Sequence, residues 1–389
     1  MKKIFNFSYM IFFLAAFSAC SGSQNSLTVS VTNPLKIDRG AETVKVDLGA
    51  LASTSDQFIV IDNATGSEIR SQLVDENSDK TFEAILFQAD LKAGESKDYT
   101  VKVGATTLPS TEVKTFGRFV PERYDDFTWE NDKVAFRMYG PALKKLAEEG
   151  KPGGGISGGL DCWLKKVDYS VIDKWYKGYL EDPMYYHNDR GEGLDNYHVG
   201  PGLGAGGTGV MVKDSLVQSV NFTDSHVLLN GPIKTKFVLD YDPYGTDDVE
   251  VQEQKTISID LGSNLTKITV DVKGSEFLTT GITLHENDGE LTVDSTAVFA
   301  DYYAPYFGNE LGNAIVIDPK YYAGYTRIDS DVKDHSNVLL HLKVIDGKVE
   351  YYAGFAWSES KQFSGKESWE AYLADFAQKI QNPLQVTVK

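Results

Sequence analysis

The sequence predicts a mainly β protein of two units, a small antiparallel sandwich followed by a much larger two-sheet sandwich. Three observations predict it. Apolar and polar residues alternate along many segments, as in Lys255-Thr256-Ile257-Ser258-Ile259-Asp260-Leu261, which is the period of a half-buried strand. Helical periodicity is confined to a few stretches. A Thr/Pro/Ser-containing junction at 105–118 separates a short β region from a long one.

The chain opens with Lys2 and Lys3, an apolar run from Ile4 to Phe17, and then Ser18-Ala19-Cys20. This is the layout of a secretory signal. The run is shorter than the ~20 apolar residues that span a bilayer. Small residues before a cysteine suit lipoprotein processing, whereas cleavage after Ala19 would put bulky Phe17 where a small residue is wanted. Residues 1–19 therefore read as a lipoprotein signal peptide, Cys20 as the lipidated residue and 20–26 as a tether; a plain secreted protein is the alternative. The expected location is the outer membrane, on its periplasmic face or at the cell surface, held through the lipid anchor only.

Residues 27–104 follow as an immunoglobulin-like β domain. Leu27–Val31, Val44–Leu48 and Tyr99–Val103 alternate as strands should. Residues 115–389 form the second unit. Its first part, 119–200, reads as irregular, with helices expected at Pro141–Glu149 and Trp163–Tyr179. From 210 to 360 the pattern is β, and Asp346-Gly347 marks a two-residue hairpin. A helix is expected over Glu367–Gln381, ended by Asn382-Pro383. A β unit of this size suggests a galactose-mutarotase-like β-supersandwich, an architecture whose concave sheet commonly binds sugars; this is an analogy of fold.

Composition narrows the function. The chain has 38 Lys and Arg against 56 Asp and Glu, a net charge of −18. Loss of Lys2 and Lys3 with the signal would make it more negative still. Such a surface repels nucleic acid and anionic lipid. Only Cys20 and Cys162 are present, so with Cys20 lipidated no internal disulfide forms and stability must come from the core. Gly202-Leu203-Gly204-Ala205-Gly206-Gly207 matches a dinucleotide-binding spacing, but no hydrophobic strand precedes it and the residues after it look β. This loop and Gly153–Gly159 are expected to allow close backbone approach beside a site.

The densest chemistry lies in Tyr185–His198, where two His, three acids, an Arg and three Tyr share one turn-rich stretch with no hydrophobic period. Farther upstream, Val134, Phe136 and Met138 alternate, which places Arg137 and Tyr139 together on the other face of a strand. His187, Asp189 and Asp195 could supply metal ligands, although no HExxH spacing occurs. Asp75-Glu76-Asn77-Ser78-Asp79 has part of a calcium-loop pattern, with Lys80 where glycine is required. No Gly-x-Ser-x-Gly elbow is found.

On Arg123–Asp126, Trp129–Asp132, Ala135–Pro141, Gly159–Trp163, His187–Gly193 and Tyr352–Ser358, the region 115–389 resembles a family of lipoproteins found beside polysaccharide-degrading enzymes. That family is similar to the oligosaccharide dehydratase of ulvan breakdown. The resemblance implies removal of water from a terminal glucuronate or iduronate, leaving a 4,5-unsaturated sugar. Such an elimination needs a base for the C5 proton, an acid for the C4 hydroxyl, and cations that neutralise the carboxylate. His187 and His198 are the expected base and acid, supported by Tyr186 and Tyr197. Arg137, Arg190 and Lys165, with Tyr139 and Trp129, are the expected substrate-binding residues. No cofactor is expected; a divalent metal stays open, with Asp189 and Asp195 as candidate ligands. The alternatives are an exo-acting glycoside hydrolase using two carboxylates among Asp125, Asp189, Glu192 and Asp195, and a non-catalytic glycan-binding lipoprotein.

Overall fold

The computed structural model of the protein describes residues 25–296 and 298–389. Cys20 and the signal segment lie outside the described residues.

The N-terminal sandwich packs a five-stranded sheet against a three-stranded one. Its core is the inward half of each alternating strand: Val29, Val31, Val60, Tyr99 and Val101 from one sheet, Val44, Val46, Ile85 and Phe87 from the other. One strand of this unit comes from the far end of the chain. Gln385–Val388, which the sequence reading placed in the large unit, pairs antiparallel with Ser26–Thr32.

The large unit is a supersandwich. A nine-stranded sheet, running from Phe222–Leu229 through Val249–Asp260 and Lys348–Trp357 to Glu290–Asp294, forms one layer. Two five-stranded sheets face it. One comprises Phe116–Val120, Asp126–Glu130, Ala135–Met138, Asp161–Lys165 and Gly193–Leu194, and the other includes Ala205–Val212, Phe277–Thr283 and Asn337–Lys343. The two are stitched by a parallel bridge between Leu160 and Gly204. Gly204 has φ +62, and a Cβ there would stand 2.2 Å from the Leu160 carbonyl oxygen. The glycine-rich loops therefore serve this seam. At Gly200, with φ +60, a Cβ would stand 2.8 Å from that of Asp334, so the backbone approaches this residue closely.

Three helices complete the unit: α1 (Pro141–Glu148), α2 (Ile172–Glu181) and α3 (Lys366–Gln381). The expected helix over Trp163–Tyr179 is corrected. Trp163 to Lys165 finish a fully buried strand, and the helix begins only at Ile172. Burial on both faces removed the alternation, so 119–200 looked irregular although it holds a sheet. The α3 face of Trp369, Leu373 and Ala377 packs on the back of the nine-stranded sheet beside Phe299, Ala314 and Val316.

Candidate active site

Arg137 is the centre of the site. The strand Ala135–Met138 is buried along its whole length, so the guanidinium is held inside the protein, only 5% exposed. Its Nη2 lies 2.6 Å from Asp161 and 2.9 Å from Asp195, and its Nε is 3.8 Å from Asp126. The rings of Tyr139 and Trp163 lie 5.2 and 5.4 Å from it. Burial is the largest influence on Asp126 and on Asp161. It pushes Asp126 up to about 6 against the pull of Arg137 and Arg123. It also raises Asp161 well above the usual carboxylate range, opposed by Arg137 and reinforced by Asp195.

Many buried polar atoms here lack a hydrogen-bond partner. They include Nε and Nη1 of Arg137, Oδ2 of Asp126, Oδ1 of Asp161, Nε1 of Trp163 and the hydroxyl of Tyr197. Buried polar groups are ordinarily satisfied, so a concentration of unsatisfied ones marks a place that receives water or a ligand.

His187 stands between this cluster and solvent, with a side chain 35% exposed. Its Nδ1 lies 2.6 Å from the main-chain oxygen of Asp195. A carbonyl only accepts, so Nδ1 carries a proton, and in the neutral ring the lone pair is then on Nε2, the tautomer of a general base. The ring packs on Tyr186 at 4.5 Å.

The chain from Asp195 to His198 carries the site toward a second group. Tyr197 meets the His285 ring edge-on at 4.9 Å, and its phenol is raised well above the usual range by burial first and by Cys162, Tyr306 and Asp161 next. Tyr306 donates to the main-chain oxygen of Asn196 at 2.8 Å. Asp334 bridges two histidines, His198 Nδ1 at 2.7 Å and His285 Nδ1 at 3.2 Å. His198 is 67% exposed, whereas His285 is nearly buried. Burial lowers the pKa of His285, with Asp334 partly offsetting it, and its Nε2 has no partner.

The structure thus gathers His187, Tyr186, Tyr197, Arg137 and Tyr139 around one site, with His198 at its edge. Four expected residues are corrected. Trp129 is wholly inside the sandwich, donating to the Thr266 hydroxyl at 3.1 Å. Lys165 is buried against Glu130 at 2.7 Å, and Glu130 in turn accepts the N–H groups of Val171 and Ile172 at the start of α2. Arg190 is an exposed side chain paired with Asp182 and stacked on Tyr185. Asp189 is held 2.6 Å from Lys166 and accepts from two glycine N–H groups, so it shares no ligand position with Asp195. Of the hydrolase acids, Asp195 is in the cluster, while Glu192 is committed to Tyr169, Lys174 and Trp175.

The sequence reading missed Asp161, His285, Asp334 and Tyr306. Asp161 left one usable signal, an acid within the apolar run Leu160 to Leu164. The other three are distant in sequence, and no spacing connects them. Among the described residues, the one grouping with metal-ligand spacing is Asp75, Asp79 and Glu83, in the N-terminal sandwich and away from this site.

Residues 31–386 match the model of a family described as a domain of unknown function, DUF4861. The chain belongs to the DUF4861 family. It is 42% identical over 391 residues to Uncharacterized protein P7 of Formosa agariphila, covering 98% of this chain and 99% of that one. Among solved structures, it is similar to a protein in the glycosyl hydrolase family 38 from Enterococcus faecalis, with a TM-score of 0.51 and 10% identity. That match covers 94% of this chain and 48% of the other, so this chain spans about half of that protein's length. An α-mannosidase from Enterococcus faecalis V583 matches with a TM-score of 0.47 and 10% identity, covering 95% of this chain and 46% of that one. The first likeness is one of fold, and it agrees with the β-sandwich architecture of this DUF4861 protein.

Proposed function

We propose that this DUF4861 protein is a carbohydrate-active carbon–oxygen lyase that removes water from a terminal uronic acid of an oligosaccharide. One observation carries the reading. His187 donates from Nδ1 to the main-chain oxygen of Asp195, the residue whose carboxylate contacts Arg137, and its ring packs on the buried Tyr186. That is a base, a carboxylate clamp and proton donors in one place.

In the proposed reaction, Nε2 of His187 takes the C5 proton. The Nε and Nη1 edge of Arg137 receives the uronate carboxylate and stabilises the charge that spreads onto it. The C5–H electron pair becomes the C4–C5 double bond, and the C4 hydroxyl departs as water with a proton from Tyr186 or Tyr197. Burial raises both phenols, so the proton is in place at neutral pH. Protonation of Asp161, which burial favours, would release Arg137 from one of its two close anions and leave more of its charge for the uronate. The uronate itself rests on the sequence resemblance. The fold likeness to a glycosyl hydrolase family 38 protein agrees with a sugar substrate.

A hydrolase is the second reading. Asp161 and Asp195 both contact one nitrogen of Arg137, which brings two carboxylates as close as a retaining glycosidase requires. Incubation with a glucuronate-terminated oligosaccharide separates the two. The lyase gives a product one water lighter with new ultraviolet absorbance; a product pair one water heavier in sum overturns it in favour of hydrolysis.

Anchoring through a lipid at Cys20, beside other polysaccharide-degrading enzymes, is part of the same proposal. It places the reaction outside the cytoplasm.

A further inference from the structure

The strands Phe299–Tyr306 and Asn309–Ile317 form a tight hairpin in which Tyr306 pairs with Asn309. Phe307 and Gly308 are left as a two-residue turn, with φ of +49 and +80. Turns with positive φ at both positions ordinarily take Asn-Gly, Asp-Gly or Gly-Gly. The same protein does so at Asp346-Gly347, where φ is +51 and +74. A phenylalanine in that position is strained by its own side chain. Burial does not repay it: Phe307 is 74% exposed, the most exposed large apolar side chain among the described residues. Strain kept without a gain in burial points to a use in binding.

The surroundings say what would bind. Phe307 lies edge-on to Tyr306 at 4.9 Å. Tyr306 lies 5.5 Å from the His285 ring and 6.1 Å from Tyr197. The rings form a row leading outward from the buried site. A cavity of about 180 Å³ opens beside them, with Phe307 and Tyr306 on one side and Glu286, Asp288, Lys333 and Asp334 among its other walls. An apolar ring face opposite a set of charged hydrogen-bonding groups suits a sugar, whose C–H face stacks and whose hydroxyls bond outward.

We infer that Phe307 is the stacking platform for the second sugar of the oligosaccharide, at the mouth of the pocket around His285 and Asp334. The inference rests on the carbohydrate reading above. The terminal sugar occupies the Arg137 site and the next residue lies on Phe307, so the platform selects for chain length.

The test compares the wild type with F307A, F307Y and F307G on two probes: the methyl glycoside of glucuronic acid and a glucuronate-terminated tetrasaccharide. Binding is read by calorimetry and turnover by ultraviolet absorbance. F307A is expected to weaken tetrasaccharide binding and raise its KM about tenfold, to keep kcat within about twofold, and to leave the monosaccharide unchanged. F307Y should retain wild-type affinity. F307G should be at least as thermally stable as the wild type, because glycine relieves the turn, yet bind the tetrasaccharide as weakly as F307A. Equal tetrasaccharide binding by the wild type and all variants overturns the platform, whether or not turnover is seen. So does a loss on both probes alike. If the wild type binds the tetrasaccharide through Phe307 but forms no unsaturated product, the platform stands and the lyase reading falls. If the wild type binds neither probe, both fall.

Discussion

Replacing Asp126 by asparagine should make the protein more stable and less active. Asp126 is fully buried; its Oδ1 accepts from the Gly140 N–H at 3.0 Å, while its Oδ2 has no hydrogen bond. Arg123 and Arg137 lie at 3.7 and 3.8 Å, too far to compensate for the lost water. The carboxyl is therefore pushed up from 3.8 to about 6, chiefly by burial. Between these two pH values the folded protein binds a proton that the unfolded chain has released. Stability contributed by this group is thus present at acid pH and lost as pH rises through about 6. Two units at ~1.36 kcal/mol each amount to roughly 3 kcal/mol at pH 7. The amide in D126N keeps an acceptor for Gly140 and removes the charge. Urea unfolding should show a gain approaching that figure at neutral pH and almost none near pH 4. Turnover should fall, because the charge balance around Arg137 is altered. D301N is the control: burial pushes Asp301 up to about 7, but it lies under α3 with Trp369 donating to it, away from the site. It should gain stability over a window that extends to about pH 7, with activity intact. A D126N protein that is destabilised at pH 7, or shifted equally at both pH values, would refute the reasoning and make Asp126 a structural ion-pair partner.

Three further outcomes follow from the same geometry. H187Q should lower kcat at least ~100-fold with little change in urea midpoint, since the side chain is partly exposed and the glutamine amide keeps a donor for the Asp195 main-chain oxygen. D334N removes the carboxylate shared by His198 and His285; because that anion favours the charged ring, His285 should titrate at still lower pH, seen by NMR, and turnover should drop. C20A expressed in a bacterial host supplied with labelled palmitate should lose the label that the wild type incorporates, and persistence of the label would remove the anchor from this cysteine.

Much of the fold was legible because one face of most strands is wet. Alternation marks Lys255–Leu261 and Leu265–Val272, and the Asp346-Gly347 turn falls where its residues demand φ above zero. The sheet within 119–200 was not legible. Asp126–Glu130, Ala135–Met138 and Asp161–Lys165 are buried on both faces, so period two vanishes and polar residues stand inside apolar runs. The C-terminal strand was hidden for another reason. Gln385–Val388 alternates, but nothing local says that its partner is Ser26–Thr32 at the opposite end of the chain.

The site divides in the same way. The stretch Tyr185–His198 announced itself by mixing residue types that neither a core nor a solvated loop would hold together. Arg137 and Tyr139 followed from the strand that carries them. Lys165 and Trp129 misled because a charged or aromatic residue in a buried strand has the same signature whether it binds a substrate or anchors a helix. His285 and Asp334 come together only through the return of distant strands beside Tyr197, and only folding shows their pairing.

The central claim is that the Arg137 site with His187 at its mouth carries out elimination on a uronate-terminated sugar. Mass spectrometry of a glucuronate-terminated oligosaccharide incubated with the purified protein tests it most directly. The expected product is lighter by one water and is absent with H187Q. Products that have gained a water, or the same loss of water from H187Q at an unchanged rate, would contradict it.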